Sequence, residues 1–85
     1  MSAALPPEPD ATWDADDLAC DELLPELQKR LAELPPGAIL WLLARDPRVA
    51  AELPAWSRGS GHAIVHRQGS EYWLRRRPAD LPMAT

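Results

Sequence analysis

Apolar and polar positions change rhythm several times along the chain, and each change marks an element. Residues 1–10 show no periodicity and carry three prolines, which predicts an extended or disordered tail. Thr12–Ala15 predicts a short strand anchored by Trp13. From about Asp21 to Leu34, the residues Leu24, Leu27, Leu31 and Leu34 recur at steps of 3, 4 and 3, which lines one face of a helix. Pro35-Pro36-Gly37 stops that helix in a turn. Ala38–Ala44 is a continuous apolar run between turn signals. It predicts a strand covered on both faces, or covered on one face and packed at its edges.

Asp46-Pro47 is a good helix opening, because Asp caps and Pro suits the first helical position. A short helix is expected through Arg48–Leu53, interrupted or kinked at Pro54, resuming over Ala55–Ser60 and ended by Gly59 and Gly61. His62–Gln68 and Glu71–Arg76 read as a hairpin around Gly69-Ser70. Residues 78–85 read as a second flexible tail. The order strand, helix, strand, helix, strand, strand predicts an α/β (α+β) two-layer sandwich over residues 11–77. It has βαβαββ order, with a four-stranded mixed sheet and two helices on one face. The other face of the sheet is then open to solvent or to a partner.

Length limits what such a domain can do. Eighty-five residues support one core and no deep multi-pocket active site. The longest apolar run, Ala38–Ala44, has 7 residues, far short of the ~20 a membrane helix needs. The acidic, proline-rich start does not look like a secretory signal. One cysteine cannot form an internal disulfide, so a reducing cytoplasm is the simplest home. Net charge is −4 but uneven: residues 1–33 hold nine acids against Lys29 and Arg30, and residues 34–85 hold four acids against seven arginines. The acidic total argues against non-specific nucleic-acid binding and leaves room for a charged protein partner.

Cys20 is the first candidate for chemistry. It stands just before the predicted helix, where unpaired amides and the positive end of the macrodipole favour thiolate. Thiolate is the form that attacks sulfur and holds a persulfide. The plainer reading is a buried, inert cysteine that packs as a small hydrophobe. Asp16, Asp17 and Asp21 surround it in sequence and oppose ionisation, and Pro25 draws the helix start toward Leu24. His62 and His66, four apart on a presumed strand, would share a face and could join Cys20 in a cysteine–histidine pair or a metal site. Solvated or packed histidines are the simpler account. Arg75-Arg76-Arg77 reads as a charged edge strand or as a docking patch for an acidic partner or an RNA backbone. Trp13, Trp41, Trp56 and Tyr72 read as packing residues, while Trp73 points the other way from Tyr72 and Leu74 and marks a possible interface.

Six blocks carry a family resemblance: T-W-D-A-D-D-L-A-C-D-E-L from Thr12, Lys29 in Q-K-R, P-P-G at 35–37, R-D-P at 45–47, E-L-P-A-W-S at 52–57 and G-H at 61–62. In this order the chain resembles the TusA (SirA-like) sulfur-carrier proteins from Thr12 to about Arg76. The resemblance implies the same βαβαββ sandwich. It implies a single catalytic cysteine, matching Cys20, that takes sulfane sulfur as a persulfide and passes it on. No cofactor or metal is implied. The implied partners are a sulfur-donor protein (a cysteine desulfurase or rhodanese-like protein) and a sulfur-acceptor protein. The relay would serve tRNA thiolation, cofactor maturation or sulfur metabolism, with tRNA reached only indirectly, no membrane and a monomeric carrier. Against the family pattern, Asp17 replaces a glycine, Asp21 and Leu23 replace two prolines, and Ser57 replaces a second cysteine. The alternative is a catalytically weakened TusA-like protein-binding module acting through its sheet face and arginine edge.

Overall fold

A computed structural model describes residues 6–78; the outer parts of both expected tails, 1–5 and 79–85, lie outside the described residues. The elements are β1 (Ala11–Asp16), α1 (Cys20–Ala32), β2 (Ile39–Ala44), α2 (Pro47–Ser60), β3 (Ala63–Gln68) and β4 (Glu71–Arg75). The order is the expected βαβαββ. The sheet runs β1-β2-β4-β3, with β1 parallel to β2 and β4 antiparallel to both β2 and β3.

Both helices pack on one face. Leu23, Leu27 and Leu31 of α1 and Val49 and Leu53 of α2 meet Leu40, Leu42 and Ala44 of β2 and Tyr72 and Leu74 of β4 in one core. Each fully buried leucine contributes roughly 1.5–3 kcal/mol of apolar burial. In β2 the exposure alternates strictly, so of the two readings of Ala38–Ala44 the one-face version holds. Its helix-side positions are Leu40, Leu42 and Ala44, and Ile39, Trp41 and Leu43 lie on the uncovered face.

Several boundaries differ from expectation. The helix stripe is Leu23, Leu27 and Leu31, with Leu24 only half-buried and Leu34 beyond the helix. Pro25 neither delays α1, which starts at Cys20, nor breaks it, and Pro54 does not interrupt α2. Both prolines are on the solvent side, where water can satisfy the carbonyl each leaves without a helical partner. Asp10, expected in the tail, already belongs to the sheet: its N–H donates to the Ile39 carbonyl (2.7 Å) and its carboxylate accepts the Ile39 N–H (2.9 Å).

The arginine run is not an edge. The hairpin folds β4 in between β2 and β3, so β4 is an interior strand and only Arg75 belongs to it. Arg76 turns back to donate from Nε to the Leu31 carbonyl in the last turn of α1 (3.0 Å). Arg77 donates to the Ser60 carbonyl at the end of α2 (3.2 Å), and its aliphatic stem packs where any Cβ on Gly61 would sit. Gly61 itself takes φ +85° to close α2, a conformation glycine adopts without strain. Trp73 does face away from the helices, as expected, but it is buried. It pairs with Trp41 across the strands and meets His66 edge-on at 5.0 Å.

Candidate functional site

The site sits where β1 hands the chain to α1. A register shift between Asp14 and Asp16 and a positive φ of 52° at Asp16 turn the strand end toward the helix layer. Asp tolerates that left-handed geometry better than most residues. The turn is tied to β2 by the Arg45 N–H donating to the Asp16 carbonyl (3.1 Å). Cys20 follows as the first residue of α1.

The start of α1 is poorly capped by its own sequence. Ala19 is the N-cap and has no side chain to offer. The cap comes instead from α2. Asp46, the expected N-cap of that helix, accepts the Arg48 N–H on Oδ1 (2.9 Å) and the Cys20 N–H on Oδ2 (2.8 Å). One carboxylate thus closes two helix N-termini. Both amide bonds, the Arg48 one first, hold its carboxyl below the ordinary range.

Cys20 Sγ lies against α2 and hydrogen-bonds Glu52 Oε1 at 3.4 Å. The cysteine is only 2% exposed, whereas Glu52 is exposed. Cys20 thus belongs to the same core cluster as Leu23, Leu27 and Leu53, and an exposed carboxylate of α2 reaches its sulfur. Burial pushes the thiol above its ordinary 9.0, and the Glu52 hydrogen bond, the Glu52 charge and the Asp46 charge push the same way; Arg48 opposes them. The expectation of an open thiol ionised by the helix amides is corrected here: the Cys20 amide is spent on Asp46, and the Glu22 and Leu23 amides go to the Ala19 carbonyl (3.0 and 2.8 Å). The expectation of acidic surroundings holds in direction but not in source. Asp16, Asp17 and Asp21 are exposed, and the carboxylates that act on the sulfur come from 26 and 32 residues away.

The other candidates lie elsewhere. His62 precedes β3 and is buried on the helix side against Trp56, with ring centroids 5.6 Å apart. Its Nδ1 accepts the Arg77 N–H (3.0 Å), and burial, then the charges of Arg77 and Arg76, lower its pKa. His66 lies on the opposite face, because the bulge between Ile64 and His66 reverses the alternation. The two histidines thus do not share a face, and no group of three or more His, Cys, Asp or Glu among the described residues is placed to hold a metal. Ser57 donates its hydroxyl to the His62 carbonyl, a structural tie at the far end of α2. The residue that sequence reasoning missed is Glu52. It sat inside a recognised block, yet nothing local in the sequence aims it at Cys20.

An α/β sandwich with one cysteine at the head of its first helix defines a small single-thiol class of protein. Residues 11–76 match the family described as Sulfurtransferase TusA. Curated relatives named "Sulfur carrier protein TusA" are similar over most of their length. The one from Pseudomonas syringae pv. tomato is 33% identical over 72 residues, 80% of this chain and 86% of the relative. The one from Pseudomonas fluorescens is 32% identical over 71 residues, 79% and 86%. That from Pseudomonas aeruginosa is 32% identical over 72 residues, 80% and 91%. The chain belongs to the TusA family.

Proposed function

We propose that this protein is a cytoplasmic sulfur carrier that accepts sulfane sulfur as a persulfide on Cys20 and passes it to an acceptor protein. The observation that supports it is the position of the chain's only thiol: the first residue of α1, where the exposed Glu52 carboxylate of α2 reaches its sulfur. The donor is a cysteine desulfurase or rhodanese-like protein, and the relay ends in tRNA thiolation, cofactor maturation or sulfur metabolism. No helix among the described residues is long and apolar enough to cross a membrane. Burial and the neighbouring carboxylates keep the resting Cys20 a neutral thiol, and docking is what brings the donor sulfur to it. The module reading loses two of its three arginines to the helix ends.

The test is Cys20→Ser. Incubated with a persulfide-loaded donor, the parent gains one sulfur atom in intact mass, lost on adding dithiothreitol. The variant gains none. Equal loading of both proteins would end the proposal.

A further inference from the structure

We propose that Glu52 is the proton acceptor for the Cys20 thiol during sulfur uptake. The inference rests on the carrier reading above and adds a second residue to it. Three observations carry it. Glu52 Oε1 accepts the Cys20 Sγ–H hydrogen bond at 3.4 Å. Glu52 is exposed, so its carboxylate keeps lone pairs free for the proton. Among the described residues no other base stands free beside the sulfur: both oxygens of Asp46 already accept amide protons, from Cys20 and Arg48. His62 lies beyond the other end of α2, and His66 lies on the far face of the sheet. The charged groups facing the sulfur are Glu52 and Arg48 from α2 and Asp46 from its N-cap; on α1 itself, Asp21 and Glu22 point to solvent.

The step balances without any added reagent. As Sγ bonds to the terminal sulfur of the donor persulfide, its proton moves to Glu52. The donor's S–S bond breaks, and the electron pair leaves on the donor cysteine. That thiolate then takes up the proton that Glu52 releases. Cys20 ends as the persulfide and the donor as a thiol, with the transferred sulfur unchanged in oxidation state. A buried neutral thiol with an adjoining carboxylate is in this way nucleophilic without resting as thiolate, which protects it from stray oxidants.

The test uses the full chain and a neutral alkyl thiosulfonate, methyl methanethiosulfonate, which offers divalent sulfur and does not itself titrate. Between about pH 6 and pH 8 the parent rate stays nearly flat, because proton transfer inside the Cys20–Glu52 pair does not depend on pH. Glu52→Gln removes the acceptor, and its rate climbs about tenfold per pH unit as free thiolate takes over. Because loss of Glu52 also lowers the thiol pKa, the slope of the profile, flat in the parent and rising in the variant, is the discriminating readout and not the rate at one pH. Glu52→Asp keeps a carboxylate and keeps the flat profile. Coincident profiles for the parent and Glu52→Gln would overturn the proposal while leaving the carrier reading standing. That reading is tested separately by Cys20→Ser, which must fail to take sulfur from glutathione persulfide.

Discussion

The two ends of the helix layer are built on opposite principles. Both helices run back from the C-terminal ends of parallel strands, so their N-termini lie together at one end and their C-termini at the other. At the C-terminal end, positive charge meets the negative poles: Arg76 on the Leu31 carbonyl and Arg77 on the Ser60 carbonyl. At the N-terminal end, one carboxylate, Asp46, meets both positive poles. Each arrangement suits its dipole. They differ in what is left over. The arginine end is closed by bonds that only hold the fold, while the carboxylate end leaves a thiol and the Glu52 carboxylate facing each other without any role in capping. The proposed chemistry falls where stability does not need the groups.

The sharpest way to break this contrast is Asp46→Ala. It strips the cap from both helices at once and leaves the Cys20 and Arg48 amides without acceptors. We expect the largest fall in thermal midpoint of any single surface substitution in the protein. Removing a carboxylate that raises the thiol pKa also makes Cys20 alkylation faster at pH 8. A melting curve and an iodoacetamide time course read both. An unchanged midpoint would mean that the shared cap is decorative.

Arg76→Ala tests the other end. It removes a charged hydrogen bond to a helix carbonyl and the stem that packs beside it, and is expected to cost about 1–2 kcal/mol in urea unfolding. The alkylation rate of Cys20 should stay at the parent value, because the substitution lies a helix length away. A change in that rate would show that the two ends are coupled and that their division of labour is not real.

How much of this was legible beforehand follows the same divide. The element order, Leu27 and Leu31 on the buried face of α1, the Asp46 cap of α2 and the hairpin at Gly69-Ser70 are local patterns, and the chain spells them out. Pro25 and Pro54 misled because a proline's penalty depends on which side of the helix it occupies, and both face water. The arginine run misled because being an edge is a property of strand order, and β4 lies inside the sheet only through the return of the hairpin. His62 and His66 part company through a one-residue bulge that no pattern announces. Cys20 was visible as the lone thiol, yet its environment was not. Asp46 and Glu52 reach it across 26 and 32 residues, a pairing that exists only once α1 and α2 pack side by side.

The smallest expected effect is a pair of opposite pH responses, one from each end. His62 at the arginine end has a lowered pKa. Its unfolded imidazole takes a proton at about the ordinary 6.5, which the buried ring refuses. Stability from this residue is therefore complete above about pH 6.5 and is lost as pH falls toward the lower folded value. Cys20 at the carboxylate end has a raised pKa. Its unfolded thiol ionises from about the ordinary 9.0 while the folded one stays neutral, so its stabilisation is present below that pH and is lost as pH rises above it. Urea midpoints measured from about pH 5 to 10 should bend downward at both limits. In Cys20→Ser the alkaline bend should shrink and the acid one remain; in His62→Gln the reverse. If both variants kept both bends, the two ends would not titrate as separate units, and the contrast drawn from their hydrogen bonds would fail at its last test.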